Sequence, residues 1–147
     1  MSRYYPIFLD VRGRTAVVVG GGRVAARKTS GLAEAGARVR IIAPRVDPSL
    51  STHQVERRRY RRGDLKGAVL AFAATDDRAV NHAVALEARR RRIPVNVADS
   101  LDDCTFLVPA RIARGDLQIA VSTGGRSPRL ARALRERLEA ELQKASP

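Results

Sequence analysis

Tryptophan is absent from the chain, and cysteine and methionine occur once each in 147 residues. The single Cys104 excludes an internal disulfide, and neither it nor the two histidines has the spacing of a metal site. Aromatic residues make up only 4%, and no basic stretch interleaves several of them, which argues against a platform for stacking single-stranded bases. No apolar run approaches membrane-spanning length, and the opening residues MSRYYPIFLDVRGR lack the apolar stretch of a signal peptide. These absences point to a soluble globular protein, expected in the cytoplasm, with neither a membrane nor a nucleic acid as partner.

Acidic residues are also in short supply. Lys and Arg number 28 against 15 Asp and Glu, a net charge of +13, and only Lys28, Lys66 and Lys144 are lysines. Such a surface favours an anionic partner, although an arginine bias is also what a GC-rich genome produces. Hydrophobic residues reach 44%, enough for a core in one domain or in a domain with a short appendage.

The segment TAVVV, Thr15 to Val19, has the β-branched apolar pattern of a strand buried on both faces. Gly20 to Gly22 follow, then Val24 to Ala35 reads as a helix with Val24, Ala25, Leu32 and Ala35 available for its inner face. Gly36 sits where a helix ends, and Val39 to Ala43 is a second strand stopped by Pro44. This is a βαβ unit. Gln54 to Tyr60 reads as a short, charged edge strand and Ala68 to Ala74 as a buried one. Asp77 to Arg90 reads as a helix and Pro94 to Ala98 as a further strand. The alternation predicts a Rossmann-like parallel sheet with helices on both faces. Beyond it, Thr105 to Val108 and Leu117 to Ser122 read as strands around the turn Arg114-Gly115-Asp116, and Arg129 to Gln143 as a charged helix. The expected division is residues 1–104 for a nucleotide-binding domain and 105–147 for a hairpin and helix that either packs back on the sheet or serves as a dimerisation arm.

VVVGGGRVAARK carries G-x-G-x-x-A at Gly20, Gly22 and Ala25. The first glycine permits the tight turn, the second lets the backbone approach a pyrophosphate, and the small third residue lets helix and strand pack closely. Amides at the helix start then face the phosphates. An acidic residue ought to end the second strand to hold the ribose, but here the strand ends Ala43-Pro44-Arg45. Arginine tolerates a ribose phosphate, so spacing leaves NAD and NADP both open. Thr75 and Asp76 end a strand at the carboxyl edge, where ligands sit in such sheets; contact with a cofactor and capping of the next helix are both open to them. Asp99 closes the next strand at the same edge, where a carboxylate is placed to act as general base. From the residues alone, a turn or capping role is the simpler reading of Asp99, Asp102 and Asp103. Cys104 is most simply a small buried hydrophobe.

In order along the chain, YYPIFLDVRGRTAVVVGGGRVAARK, LAEAGARVRIIAP, AFAATDDRAVN, IPVNVADSLDDCTFLVPA and GDLQIAVSTGGRSPRLARALRERLE resemble the precorrin-2 dehydrogenase domain of sirohaem synthases. The resemblance covers nearly the whole chain except Asp47 to Arg62. The glycine turn is generic, whereas AATDD, NVAD followed by CTF, and VSTGGRSP are specific. The resemblance implies NAD-dependent oxidation of precorrin-2 to sirohydrochlorin. It implies that Gly20 to Val24 hold the pyrophosphate, that Pro44 and Arg45 flank the adenosine ribose, and that Thr75 and Asp76 lie by the cofactor. It also implies that Asp99 is the general base. Thr123, Gly124, Gly125 and Ser127 fall on the substrate side, and the region after the nucleotide domain builds a homodimer. Precorrin-2 is a polycarboxylate, which suits the basic surface; Arg23, Arg126 and Arg129 are candidates to hold its acid arms. The clusters Arg57 to Arg62 and Arg89 to Arg92 read instead as solvated faces.

Relatives that also insert iron carry a further helical segment beyond the position of Pro147, so iron insertion is not expected here, and a fused methyltransferase domain is missing. Two other classes of function remain distinguishable. A nucleotide sensor or scaffold that has lost catalysis predicts NAD binding without oxidation of precorrin-2. A nucleic-acid binder predicts affinity with a steep salt dependence, but no recognition motif accompanies the charge.

Overall fold

The computed structural model of the chain describes residues 4–144. Strands β1 (Thr15–Val19), β2 (Arg38–Ile42), β3 (Gln54–Glu56), β4 (Leu70–Ala73) and β5 (Val95–Val97) pair in parallel in the order β3-β2-β1-β4-β5. Helix α1 (Arg23–Glu34) connects β1 to β2, and α2 (Arg78–Arg91) connects β4 to β5. The Rossmann-like reading therefore holds, with β1 and β4 adjacent at the point where the chain reverses its direction of winding.

Alternation along the strands divides the core between two faces. Ala16, Val18, Ile41, Leu70 and Phe72 pack with Ala25 and Leu32 of α1. Val17, Val19, Ile42, Ala71, Ala73 and Val95 pack with Val84, Ala85 and Ala88 of α2. Each buried Val or Ile contributes about 1.5–3 kcal/mol, so a one-residue slip, which would exchange the faces, is strongly disfavoured. On α1 the buried positions are Ala25, Thr29 and Leu32. Val24 and Ala35, expected on the inner face, are exposed because the helical period from Ala25 runs through Thr29 and Leu32 instead.

The chain forms two compact units, one Phe8–Phe106 and the other residues 107–144 with residues 4–7. In the second, β6 (Ala110–Arg114) and β7 (Leu117–Val121) form an antiparallel hairpin beside α3 (Pro128–Lys144). Gly115, at φ +55, takes the first of the two turn positions, as a primed hairpin turn requires. The expected strand at Thr105 to Val108 does not form. The Thr105 N–H donates to the Val95 carbonyl at 2.8 Å, while the Thr105 hydroxyl accepts the Val95 N–H at 2.8 Å. Thr105 thus fastens the segment to the start of β5 through two contacts, and Pro109 has no N–H for a ladder. The strand begins after that proline. Ile112 and Ala131 are the buried apolar residues of this unit, and Leu130, Leu134 and Leu138, spaced one turn apart on α3, are left exposed.

Candidate functional site

Beyond the carboxyl ends of β1, β2 and β4 lies a cavity of about 780 Å³. Gly20, Gly21, Gly22, Arg23 and Val24 line it from the turn into α1, Pro44 and Arg45 from the end of β2, and Thr75 and Asp76 from the end of β4. All nine residues singled out in the sequence as cofactor ligands are thus brought to one place.

The three glycines have different reasons for being there. A Cβ on Gly20, whose φ is +125, would lie 2.2 Å from the Ala74 carbonyl oxygen, so the close pass of β4 excludes any side chain. A Cβ on Gly21 would lie 2.1 Å from the Arg45 carbonyl oxygen, and the Gly21 carbonyl itself accepts the Asp47 N–H at 2.7 Å. Gly22 is different: its φ of −86 and ψ of −169 suit any residue, and a Cβ there would meet nothing within 4 Å. No steric contact in the fold requires a glycine at 22. A ligand that approaches the backbone does.

Gly22 caps α1 with no side-chain hydrogen bond, and the first turn of α1 holds no acidic residue. The first amides of the helix therefore point toward the cavity without a protein acceptor, and the helix dipole adds positive potential where an anion would sit. A dinucleotide pyrophosphate fits this cradle in both shape and charge. Arg23, Arg45 and Arg59 add positive charge to the lining, and Asp47, Asp76 and Asp77 add negative charge. The Asp47 carboxylate accepts from the Ser49 N–H at 3.0 Å and the Ser49 hydroxyl at 2.6 Å, which hold its pKa below the usual carboxylate range.

The Thr75–Asp76 corner is built from beneath. Asn81 is fully buried in α2; its Oδ1 accepts from the Thr75 N–H at 3.1 Å and from the Thr75 hydroxyl at 2.7 Å, and its Nδ2 donates to the Thr75 carbonyl at 3.0 Å. The helix cap falls to Asp77, whose Oδ1 accepts the Ala79 and Val80 N–H groups at 2.9 and 3.3 Å. This leaves Asp76 exposed at the cavity without a capping duty.

Asp99 stands in an exposed turn after β5, and it does not line the cavity. Among the described residues no hydrogen bond or ion pair engages its carboxylate, whereas the turn around it is well held. The Cys104 thiol accepts the Val97 N–H at 3.1 Å and lies 3.3 Å from the Val97 and Ser100 carbonyls. Desolvation raises the thiol pKa, which keeps Cys104 a neutral packing group. Asp103 meets His82 at 3.1 Å and Arg89 at 3.4 Å, both on α2. Thr123, Gly124, Gly125 and Ser127 belong to the second unit. There the Thr123 hydroxyl accepts the Ser127 N–H at 3.0 Å, and the Ser127 hydroxyl accepts the Leu130 N–H at 3.3 Å, capping α3.

Sequence reading missed Val46, Asp47, Arg59, Tyr60, Asp77 and Val80 as lining residues, and Asn81 as the support beneath one of them. The signal available for Asn81 was an asparagine in the first turn of the helix that follows Thr75 and Asp76. Arg59 and Tyr60 fell inside the stretch expected as an edge strand, Gln54 to Tyr60, but β3 ends at Glu56 and both belong to the connection that follows it. The solvated-face reading of the arginine clusters is corrected at Arg58, which is part-buried and bonds both oxygens of Asp64 at 2.8 Å, and at Arg59, which lines the cavity; Arg91 is exposed and meets the buried Glu87 at 2.6 Å. Among the described residues no helix is long and apolar enough to cross a membrane, and no group of three or more His, Cys, Asp or Glu is placed to hold a metal.

Residues 7–110 match the family model described as "Putative NAD(P)-binding", and residues 114–141 match "Sirohaem biosynthesis protein central". The chain is 48% identical over 140 residues to a siroheme synthase of Methylobacillus flagellatus, a match covering 91% of this chain and 30% of that protein. To the siroheme synthase of Nitrosomonas eutropha it is 44% identical over 146 residues, covering 93% and 30%. The chain thus spans less than a third of the length of these curated relatives. Among solved structures it is similar to SirC, a precorrin-2 dehydrogenase, at 33% identity and a TM-score of 0.79, covering 94% of this chain and 71% of that one.

Proposed function

The chain belongs to the precorrin-2 dehydrogenase family, and on that premise we propose that it oxidises precorrin-2 to sirohydrochlorin with NAD as hydride acceptor. The observation that carries this reading is Gly22, a glycine that no steric contact in the fold requires, set among the open amides of α1 beside a cavity of dinucleotide size. When bound, NAD supplies the electrophilic carbon that takes a hydride from the reduced macrocycle, and loss of one proton completes the two-electron oxidation.

The chain's own residues bind, orient and accept that proton. The turn from Gly20 to Val24 holds the pyrophosphate, Pro44 and Arg45 flank the adenosine ribose, and Thr75 and Asp76 border the cofactor. Asp99 is the general base: among the described residues no hydrogen bond or ion pair engages its carboxylate, which leaves its Oδ atoms open to the substrate. Thr123, Gly124, Gly125 and Ser127 stand on the substrate side. Arg23, Arg126 and Arg129 bind the acid arms of the macrocycle, to which guanidinium groups are matched bidentately. Two copies assemble through the second unit, whose exposed stripe of Leu130, Leu134 and Leu138 is the kind of surface a partner helix covers.

The test is an anaerobic assay of the purified protein with precorrin-2 and NAD, following NADH and sirohydrochlorin together. Stoichiometric appearance of both supports the dehydrogenase; cofactor binding with no product points to a subunit without catalysis. Replacing Asp99 by Asn is expected to abolish turnover while NAD affinity stays within about twofold, since a proton-transfer group acts on the transition state rather than on cofactor binding. Near-normal turnover in that variant removes Asp99 from the role.

A further inference from the structure

Glu87 is 4% exposed, sits in the middle of α2 and does not line the cavity, yet it carries a charge that burial penalises. Four donors converge on its carboxylate. The Gly63 N–H reaches Oε2 at 2.9 Å, the Leu65 N–H reaches Oε1 at 3.4 Å, Arg91 Nε reaches Oε1 at 2.6 Å, and the Tyr60 hydroxyl donates to Oε2. Desolvation pushes the Glu87 pKa up, but these hydrogen bonds outweigh it and the net shift is downward, so the group is ionised. Burial and the bond to Glu87 likewise raise the Tyr60 pKa, which keeps the phenol a donor.

Three of the four donors belong to one stretch of chain, residues 57–69, which joins β3 to β4 without regular secondary structure. Connections of that length are uncommon in compact domains and are usually functional or disordered. This one is tied down: Arg58 bridges to Asp64, and the Arg61 N–H donates to Asp64 at 2.7 Å. What the ties hold at the cavity is Arg59 and Tyr60. The two follow β3, which pairs with β2, and in this sheet arrangement the adenosine half of a dinucleotide lies over the end of β2. The residues that line the cavity after β2 and β3 are Ala43, Pro44, Arg45, Val46, Asp47, Arg59 and Tyr60, of which Tyr60 is the aromatic one.

We propose that Arg59 and Tyr60 form the adenosine-side wall of the cofactor cavity, and that Glu87 is the positioning residue that holds them there from inside α2. The inference rests on the reading of the cavity as a dinucleotide site. Tyr60 offers a flat face for the adenine with its hydroxyl already satisfied away from the ligand, and Arg59 offers a cation to the adenosine-side phosphate. A simple packing role for Glu87 would be served as well by an apolar residue, since a buried carboxylate earns nothing by itself; convergent bonds to one loop are what it adds.

The experiment is calorimetric titration of the full chain with NAD, with ADP-ribose and with nicotinamide mononucleotide, for wild type, Glu87→Gln, Tyr60→Phe, the double variant and Val84→Ala. Val84 is fully buried in the same helix and serves as the control for a merely loosened α2. Glu87→Gln and Tyr60→Phe are expected to weaken NAD and ADP-ribose alike by about tenfold, the loss of a hydrogen bond to a charged group, and the mononucleotide less. The double variant is expected to be no worse than Glu87→Gln, because the two residues act through one bond. Folded variants that bind NAD and ADP-ribose within twofold of wild type overturn the inference while leaving the cofactor site standing, as does Val84→Ala weakening both equally. Wild type that binds neither ligand overturns the cofactor site itself. Tyr60→Phe removes one oxygen at a half-exposed position and keeps the test informative if Glu87→Gln does not fold.

Discussion

Replacing each glycine of the turn by alanine separates what the fold needs from what a cofactor needs. At Gly22 the backbone is extended, and an added methyl meets open space. Alanine is a poorer helix cap than glycine, but it also restricts the unfolded chain, and the two effects together leave the stability change within about 1 kcal/mol, or roughly 3 °C in melting temperature. The same methyl occupies the space through which a pyrophosphate would reach the α1 amides. Displacing it sacrifices one hydrogen bond to a charged group, about 1.5–3 kcal/mol, so NAD affinity should fall roughly 10- to 150-fold. At Gly20 the methyl would sit 2.2 Å from the Ala74 carbonyl in a backbone at φ +125, and steric overlap plus strain cost more than about 3 kcal/mol. Gly20→Ala is therefore expected to unfold or fail to accumulate, and Gly22→Ala to fold normally and bind NAD poorly. Thermal melts read by circular dichroism and a calorimetric titration of each variant suffice. The reasoning is refuted if Gly22→Ala binds NAD as the wild type does, or if it melts like Gly20→Ala.

Three further outcomes are expected. Arg92 ends α2 in the left-handed region at φ 57, so Arg92→Gly should raise stability by about 1 kcal/mol in a urea titration; an unchanged midpoint would show that the arginine side chain offsets the strain. Asn81→Ala leaves the Thr75 N–H and carbonyl without partners and should cost about 3 kcal/mol, read by the same titration, with a loss below about 1 kcal/mol counting against Asn81 as the support of that corner. The pKa of Glu87 is lowered in the folded state, so its contribution is fully present above the unfolded value of about 4.3 and is lost as pH falls through the lower folded value. Stability measured from pH 6 down to pH 3 should therefore drop more steeply in the wild type than in Glu87→Gln, and parallel curves would deny the carboxylate that role.

Much of the first half of the sheet was legible because its signals are local. A β-branched run, three glycines, a helical period and Gly36 bounded β1 and α1 to within a residue, and Pro44 marked the end of β2. Local signals also misled. TFLV looks like a strand, yet Thr105 spends its hydrogen bonds on Val95 and Pro109 cannot enter a ladder, so the segment bends. The true strand, ARIAR, carries arginines at its second and last positions and buries only Ile112, so its apolar signal is weak.

What stayed illegible was set by pairing across distance. The cavity's lining at Gly20 to Val24, Arg45 and Thr75 could be named because each stands at the end of a recognisable strand, and in a parallel sheet strand ends converge. Arg59 and Tyr60 stand at no strand end. They reach the same cavity because the connection from β3 to β4 folds back over α2, where Tyr60 meets Glu87, 27 residues further along the chain. A tyrosine in an arginine-rich stretch and a glutamate in an arginine-rich helix each read as surface residues; only together do they become an anchor. The charge pattern was thus informative about the site at the level of pairs and misleading at the level of runs. An excess of arginine says little about where a ligand binds, whereas one carboxylate buried among four donors identifies which basic segment is held in place, and of those donors Tyr60 lines the cavity.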